Sequence, residues 1–524
     1  MRTLPSNLTY FAIVLTLTTL RTTAAMDEIA EPAAANPAAT LRAGTAKADI
    51  TDYEAGPVND PSYVKALAIS DGSKTAVIIT VDAVAIGGIG RIGNTYLPTV
   101  RAELQKHGID PENILVNASH CHSVVRGDTD QLTIQAVKDA VAAMVPVRIG
   151  TGRGHEDRIM ENRRLTMKDG SEVDMRRAYS MPRDEDVESV GPVDPEIGIL
   201  RLDRTDGTPL ALLYNFACHP IHGVPSGGNT ADFPGFASKA IEQNLGENVM
   251  AFFVQGCAGD INPAMYKMVQ QVHDTEHYGN QLGLSTLQAA RQIQPRETST
   301  LKVISEIIAL PRGADLEHRM ESIQAEQSQI VQSLRGTDIS LKTFLPLYVQ
   351  HKVSEDFPAY YSQRYLHEKA QGRDGLVKLD EVNRANLDAY MQNIHAMEQL
   401  TRLQTNLNLL KMHLKQNQES AMQTVNVEIS GIRIGDFVLV TFGGELTVEI
   451  GLAIKKRSPA PNTFVAGYTN GYIYYLPTEK QRKNTGYAQE DCDCIVAPEW
   501  QVLFDERVDS VLKRLDDSPA DTGE

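Results

Sequence analysis

The stretch NILVNASHCHS, residues 113 to 123, places an apolar segment directly before two histidines, His120 and His122. The apolar residues predict a buried strand, and residues two apart on a strand point to the same side. Both imidazoles can therefore face one pocket, as two metal ligands or as a ligand and a proton carrier. Taken alone, the stretch is explained equally well by a pair of surface histidines in a loop.

The same arrangement recurs at three other apolar segments. ALLYNFACHP ends at His219, with His222 nearby, NVMAFFVQGCAGDINP leads to Asp260 and Asn262, and DFVLVTFGGEL stops at Glu445. In open α/β sheets, sites gather beyond the carboxyl ends of strands. Two histidines and one carboxylate leave room for a further ligand, which favours a catalytic zinc over a closed structural one.

Apolar segments of strand length alternate with helical patterns along most of the chain. This alternation predicts an α/β fold with a mixed β-sheet core flanked by helices. Residues from Val64 to Val84 predict two strands joined by a turn at Asp71–Gly72. From about 314 to 424, apolar residues at three- and four-residue spacing predict a helical insertion before the last catalytic strands, and a hairpin is one possible arrangement. We expect one face of it to serve core packing: Leu387, Met391, Ile394, Met397, Leu400 and Leu403.

Composition limits the classes of partner. The 524 residues include 42% hydrophobic and 22% charged residues, which is ordinary for a globular protein, and are enough for one large domain or two fused ones. The net charge of −17 argues against nucleic acid or an anionic membrane as the main partner, because such partners select basic patches. An odd number of cysteines, five, leaves at least one of them unpaired.

The N-terminus has the pattern of a secretory signal. Residues 1–25 combine Arg2, an apolar stretch and small residues ending at Ala24 and Ala25, which predicts a signal peptide, with an uncleaved anchor as the alternative. Residues 26–41 are rich in alanine and proline and predict a flexible lead. We therefore expect a secreted or periplasmic protein with no stable membrane span after signal removal, ending in a polar tail at 516–524.

Eight sequence blocks together resemble one family. In chain order they are AGTAKADIT, NASHCHS, ENRRL, NFACHP, TADFPGFAS, QGCAGDINP, FGGELT and TNGYIYYLPTEKQRKNTGYAQE. These blocks resemble, in the family's order, those of the neutral/alkaline, non-lysosomal ceramidases. The resemblance runs from about Leu41 to Ala488, apart from the helical insertion, and implies a catalytic domain over residues 42–515.

The resemblance implies a site residue by residue. The ligands of a zinc ion would be His120, His219, Glu445 and Tyr475. The catalytic residues would be His122, Arg163 and Tyr487, the last lying twelve positions after Tyr475. Three further side chains would orient the ligand histidines from behind or serve turns and caps: Asp232, Asp260 and Asn262.

Some positions depart from the family pattern. Asn262 stands where the family has a serine, so a serine nucleophile is excluded there, and Cys121 and Cys218 replace threonines. The immunoglobulin-like domain of typical members needs roughly 100 residues. Only 36 residues follow Ala488, so we expect the catalytic domain alone.

The resemblance implies a secreted zinc-dependent hydrolase that cleaves an N-acyl amide bond with metal-activated water. In that hypothesis His122 moves the proton, Tyr487 stabilises the oxyanion and Arg163 binds the substrate. Two alternatives stay open: the same zinc site acting on an ester or saccharide-derived substrate, and a non-catalytic binding protein on this scaffold. The expected partner is a small-molecule or lipid-like substrate, with no nucleic acid, and the oligomeric state is left open.

Overall fold

The computed structural model describes residues 40–175, 182–224, 227–246, 248–266, 268, 274–354, 362–486 and 488–516. The predicted signal peptide at 1–25 lies outside the described residues, as do positions 26–39 of the predicted lead and 517–524 of the predicted tail. Tyr487 also lies outside them.

Strands and helices alternate along most of the described chain, as predicted. The strands are β1 (Arg42–Asp49), β2 (Tyr63–Ser70), β3 (Thr75–Val81), β4 (Ile114–Ala118), β5 (Val145–His155), β6 (Met160–Asn162), β7 (Arg164–Met167), β8 (Glu172–Asp174), β9 (Val187–Val190), β10 (Glu196–Arg204), β11 (Pro209–Phe216), β12 (Met250–Gln255), β13 (Ile261–Pro263), β14 (Leu301–Pro311), β15 (Thr424–Ile434), β16 (Phe437–Phe442), β17 (Glu445–Leu446), β18 (Thr463–Ala466) and β19 (Tyr475–Leu476). The helices are α1 (Tyr96–Gln105), α2 (Thr129–Ala142), α3 (Asp232–Leu245), α4 (Thr275–Ala290), α5 (Leu316–Ser333), α6 (Leu341–Val353), α7 (Ser362–Ala370), α8 (Gly375–Glu419), α9 (Val448–Arg457), α10 (Glu479–Arg482), α11 (Gln489–Cys492) and α12 (Trp500–Leu515).

The largest sheet in the described chain has eight strands in the order β12-β11-β10-β5-β1-β2-β3-β4. Strands β2 and β3 form the predicted hairpin, and its turn carries Gly72 with φ of 88°, a left-handed conformation that glycine adopts without steric cost. Most neighbours are antiparallel, while β3/β4 and β11/β12 are parallel. The mixed α/β fold is thereby confirmed.

The two edges of this sheet approach each other. The backbone N–H of Gln255, at the end of β12, donates to Oδ1 of Asn117 in β4 at 2.9 Å. Because β4 and β11 both end near this contact, the segments that follow them, with His120 and His219, are brought to one place. A sheet that curls in this way turns two distant strand ends into one site.

A second sheet, β14-β15-β16-β18, packs on the first. One apolar core joins Phe437 and Phe464 of the second sheet to Leu200, Leu213 and Phe252 of the first. At the end of β4, the Ala118 N–H donates to the carbonyl of Tyr468, which lies two residues beyond β18. The segment that follows β18 in the second sheet therefore lies at the same place as the ends of β4 and β11.

The predicted helical insertion forms four helices, α5 to α8, rather than a simple hairpin. Helix α5 packs against the C-terminal half of α8 through a small apolar cluster that includes Ile323, Leu407 and Leu410. The prediction of one buried stripe along α8 is wrong in part, because Met397 is 55% exposed while Leu387 and Leu403 are buried. Helix α8 has 45 residues, and neighbouring elements cover only part of its length. Among the described residues, none of the helices is both long and apolar enough to span a membrane.

Candidate metal centre

His120 lies two residues beyond β4 in a left-handed backbone conformation, with φ of 66°. Few residues other than glycine adopt this conformation, and the surrounding structure must hold it. Here the backbone N–H of His120 donates to the Ala83 carbonyl at 3.0 Å, and its Nδ1 lies 2.6 Å from the Val84 carbonyl oxygen. Since that carbonyl can only accept, Nδ1 carries the proton, and Nε2 presents a lone pair on the opposite side of the ring.

His219 lies three residues beyond β11 and is held in the same way. Its backbone N–H and its Nδ1 both lie 3.0 Å from the carbonyl oxygen of Ile261, the first residue of β13. This contact again places the proton on Nδ1 and leaves a lone pair on Nε2. The side-chain amide of Gln255 donates to the preceding carbonyl, that of Cys218, at 2.8 Å, so the turn before the imidazole is also fixed.

Glu445 is the first residue of β17, and its carboxylate contacts the imidazoles of both His120 and His219. Its Oε2 lies 3.1 Å from Nε2 of His219 and 3.5 Å from Nε2 of His120. Two tyrosine hydroxyls donate to the same carboxylate, Tyr468 to Oε2 at 3.2 Å and Tyr472 to Oε1 at 2.5 Å. All the members of this group are buried or nearly so, so the contacts are formed away from bulk water.

The protonation states of these groups suit metal binding. Burial lowers the pKa of His120 to about 3, so its imidazole is neutral at neutral pH. Burial opposes ionisation of Glu445, but the two histidines and the Tyr472 hydroxyl outweigh it and hold the pKa of that carboxyl well below its usual range. Metal ligands must be neutral imidazoles and ionised carboxylates, and these residues meet that condition.

The donor atoms of His120, His219 and Glu445 all lie within 4.8 Å of one another. With both Nδ1 protons committed to carbonyls, two nitrogen lone pairs face one carboxylate oxygen with no proton between them. A cation placed among the three donors removes this repulsion, and nitrogen and oxygen donors are the set that zinc accepts. The residues present therefore fit a metal ion, although they do not by themselves select zinc.

Tyr475, the predicted fourth ligand, begins β19, which pairs in parallel with β17 so that Tyr475 is opposite Glu445. Its ring stacks on that of His219 with centroids 6.4 Å apart, and the Arg163 guanidinium lies 5.3 Å from its centroid. Burial, followed by the charge of Glu445, raises the pKa of its hydroxyl well above the usual value. The structure thus brings Tyr475 beside the three donors.

Arg163, predicted to bind substrate, is buried beside the centre. Its Nε donates to Glu490 at 2.7 Å, and one terminal nitrogen donates to the Gly259 carbonyl at 2.6 Å. The next residue, Arg164, also pairs with Glu490 and with Asp491. These contacts tie the start of β7 to α11, and they hold the Arg163 guanidinium against the ring of Tyr475.

His122, the predicted proton carrier, is exposed beside the centre, with its ring centroid 5.4 Å from that of His120. Crowding by the surrounding protein atoms, together with His219, lowers the pKa of His122. Another predicted catalytic residue, Tyr487, lies outside the described residues. Its role therefore stays a prediction.

Three side chains were predicted to orient the ligand histidines or to serve turns and caps, and two of them, Asp232 and Asp260, make contacts of the second kind. Asp232 accepts from the N–H groups of Gly223 and Phe233 at the start of α3. Asp260 accepts from the N–H of Val448 at the start of α9. Burial raises the pKa of Asp232 to about 7 and that of Asp260 to about 6. Orienting the ligand imidazoles falls to backbone carbonyls instead.

Asn262, the third of these side chains, lies in β13 directly after Ile261. It is buried, and neither its Oδ1 nor its Nδ2 has a hydrogen-bond partner among the described residues. A buried amide without partners costs roughly 1–3 kcal/mol. It therefore has no observed part in orienting the histidines.

Sequence reasoning missed Tyr468 and Tyr472, whose hydroxyls hold the Glu445 carboxylate. Tyr472 is the first tyrosine of the TNGYIYY block, so the spacing of aromatic residues there was an available signal. The contacts of the Val84 and Ile261 carbonyls with the histidines could not be predicted from the sequence, because every residue type has a backbone carbonyl.

The cysteines near the centre are free thiols. Cys121 and Cys218 stand beside the two candidate ligand histidines, and all five cysteines lie in the described part of the chain, buried and without a disulfide among the described residues. Burial raises the pKa of the Cys121 and Cys218 thiols well above the usual value. A protonated thiol is a poor metal ligand, which leaves the histidines and Glu445 as the donors.

Two cavities open away from the donors, beside the helical region. One, of about 850 Å³, is lined by residues of α6 and α8 and by the loop from Pro182 to Glu185. The other, of about 480 Å³, shares His395 with the first and extends to Gly486. Neither lining includes His120, His219 or Glu445.

Solved structures of ceramidases resemble the fold of this chain. The structure of neutral ceramidase from Pseudomonas aeruginosa superposes with a TM-score of 0.57 at 16% identity, and the match covers 91% of this chain and 75% of that one. A ceramidase complexed with C2 gives a TM-score of 0.57 at 17% identity with the same coverage. The fold is that of neutral ceramidase.

The neutral-ceramidase fold confirms the predicted resemblance at the level of architecture. No protein-family model matches the chain, and no curated protein matches its sequence. At 16–17% identity a structural likeness establishes the fold alone, so the activity has to be argued from the residues of the centre.

Proposed function

We propose that the chain is a zinc-dependent hydrolase that cleaves an amide (N-acyl) bond of a ceramide-like lipid. One observation carries this proposal: in a fold shared with neutral ceramidase, the unprotonated Nε2 atoms of His120 and His219 converge on the Glu445 carboxylate. His120, His219 and Glu445 would hold the ion, with Tyr475 as the fourth ligand. When bound, zinc lowers the pKa of a coordinated water to about 7 and polarises a carbonyl.

Residues of the chain then carry out proton transfer, stabilise the carbonyl oxygen and bind the substrate. His122, exposed beside the centre, takes the proton released on attack and returns it to the leaving amine. Tyr487 donates a hydrogen bond to the carbonyl oxygen as negative charge develops, a contribution of about 3 kcal/mol for one such donor. Arg163 keeps Tyr475 in place through the contact between guanidinium and ring and presents positive charge to the polar end of the substrate.

The experiment compares metal content and hydrolysis in matched variants. Glu445→Gln and His120→Ala are expected to lose stoichiometric zinc, and the release of fatty acid from an N-acylsphingosine should fall by more than the roughly 10–100-fold that loss of an outer metal-site partner costs. Glu242→Gln is the control, because Glu242 is a largely buried carboxylate whose partner, Lys65, lies outside the centre.

Two results would contradict the proposal. Zinc-free wild-type protein, or full activity in Glu445→Gln, would refute the metal centre. Turnover of esters or saccharide derivatives with no release of fatty acid from the amide would keep the centre and refute the N-acyl substrate.

We also propose that the protein acts outside the cytoplasm. The N-terminal pattern at residues 1–25 supports this proposal. Protein recovered from the medium or periplasm is expected to begin close to Met26 on N-terminal sequencing, and an intact Met1 would contradict a cleaved signal.

A further inference from the structure

The C-terminal half of α8 carries a buried histidine, His413, whose neighbours connect it to the candidate metal centre. His413 is fully buried, and its Nε2 lies 2.7 Å from Oδ1 of Asp493. Its Nδ1 lies 3.2 Å from Oε1 of Gln416, one turn further along α8. The imidazole also meets the ring of Tyr474 edge to face, with centroids 4.7 Å apart. These three contacts fix the orientation of the buried His413 imidazole.

These contacts lead to the segment from Tyr468 to Tyr475, which we call the tyrosine segment. Gln416 donates from Nε2 to the hydroxyl of Tyr474 at 2.6 Å. Asp493, the partner of His413, accepts at its backbone carbonyl from the N–H of Tyr475 at 3.1 Å. Helix α8 therefore holds two consecutive residues of this segment, one through a side chain and the other through Asp493.

The tyrosine segment needs such support because its backbone is strained. Tyr468, Asn470 and Tyr474 have φ values of 53°, 58° and 65°, in the left-handed region. Residues other than glycine pay about 1–3 kcal/mol each in unfavourable conformations of this kind, and they persist only where neighbours fix them. Asn470 is fixed from the sheet side, since its Oδ1 accepts from the Val116 N–H at 2.8 Å. On the opposite side, α8 fixes Tyr474.

The position of Tyr474 is passed on to Glu445. The backbone carbonyl of Tyr474 accepts from the N–H of Glu445 at 2.9 Å, and the hydroxyl of Tyr472 donates to the Glu445 carboxylate. We propose that His413 and Gln416 are positioning residues of the metal centre, through which the helical region sets the geometry of Glu445 and Tyr475. This inference rests on the metal centre of the proposed function, and it makes the helical region part of the active unit.

The test measures zinc affinity of the full-length protein by competition with a chelator, with zinc alone as the probe. His413→Ala is expected to weaken zinc binding by about tenfold or more, the range for loss of an outer partner of a metal site. His413→Gln retains an amide N–H that can donate to Asp493, so we expect it to bind zinc nearly as wild type does. Gln416→Ala removes the bond to Tyr474 and should give an intermediate loss.

The matched control is His395→Ala on the same helix, where the histidine is partly exposed and pairs with Glu398. It should bind zinc as tightly as wild type. A purely structural role for His413 would lower the midpoint of thermal unfolding of the zinc-free protein without lowering zinc affinity. In assays on the N-acyl substrate, the positioning role predicts a lower kcat with KM unchanged, because His413 acts on the centre through Asp493 and Tyr474 and does not bind the substrate.

Defined outcomes would overturn the inference. Zinc affinity unchanged in both His413→Ala and Gln416→Ala would do so, as would an equal loss in His395→Ala or a failure of His413→Gln to restore binding. Should His413→Ala fail to fold, Gln416→Ala and His413→Gln decide the question. Absence of zinc binding from wild type would refute the metal centre and this inference together, whereas normal binding that is insensitive to these variants refutes the inference alone.

Discussion

The strand ends around the candidate metal centre and the helical region from α5 to α8 differ in how completely their side chains are buried and fixed by long-range contacts. At the strand ends, every candidate donor of the centre is buried, and the main-chain carbonyls of Val84 and Ile261, distant in sequence from the histidines they contact, fix the imidazoles. In the helical region, α6 leaves a row of large apolar residues exposed, Leu341, Leu345, Val349 and Val353, of which the last is 81% exposed. Precise geometry arises where many long-range contacts converge, and in the helical region such contacts are concentrated at the C-terminal end of α8.

Two phenylalanines, one from each region, test this difference most strongly. Phe464 in β18 is fully buried and stacks on Phe437 at 5.1 Å. Phe344 in α6 is also buried and stacks on Tyr390 at 4.5 Å, but it is flanked by the exposed Leu341 and Leu345. We expect Phe464→Ala to reduce the free energy of unfolding by about 3–5 kcal/mol, because a cavity is left in a closed core. Phe344→Ala should cost less, about 2 kcal/mol, because the partly exposed helices around it can close over the cavity.

The measurement is denaturant unfolding followed by circular dichroism, with wild type as the reference. Equal losses in the two variants would show that the helical region is packed as tightly as the sheets, and the comparison would fail. A separate early transition, affected by Phe344→Ala alone, would sharpen it by showing that the helical region unfolds first.

The same division explains how much the sequence could predict. Each candidate ligand follows an apolar strand, so the residue types at strand ends place His120, His219 and Glu445 among the possible donors, and the family resemblance selects these three from the others. The helices from Leu316 to Glu419 follow from their spacing of apolar residues. The pattern does not reveal which parts of a long helix are covered, because coverage depends on partners elsewhere, and Met397 is exposed for this reason.

The tyrosine segment could not be predicted from local patterns. Its course depends on left-handed turns at Tyr468, Asn470 and Tyr474, and neither tyrosine nor asparagine demands that conformation. The contacts that impose it come from α8, β4 and β17, which are far away in the chain. The roles of Tyr472 and His413 therefore became visible only with the curled sheet and the docked helix in place.

The buried carboxyl of Asp232, at the first turn of α3, gives a smaller and pH-dependent test of the same comparison. Burial raises its pKa from 3.8 to about 7. Between those values the folded protein keeps a proton that the unfolded chain has lost, so this group's contribution to stability is full below about pH 4 and is lost as the pH rises through about 7. Asp380 of α8 is the counterpart in the helical region, where burial also raises the pKa but His351 and Arg384 oppose the shift.

We expect Asp232→Asn to remove this pH dependence. Asparagine tolerates the left-handed conformation of residue 232, whose φ is 58°, and its carbonyl can still accept from a backbone N–H. Relative to wild type, the variant should gain on the order of 2–4 kcal/mol in the free energy of unfolding between pH 4 and pH 8. Asp380→Asn should gain less. The measurement is denaturant unfolding at both pH values with a chelator present, so that metal binding does not contribute. A pH-independent difference between Asp232→Asn and wild type would mean that the carboxyl is ionised in the folded protein. An equal gain in the free energy of unfolding in Asp380→Asn would mean that the two carboxyls have similar electrostatic environments.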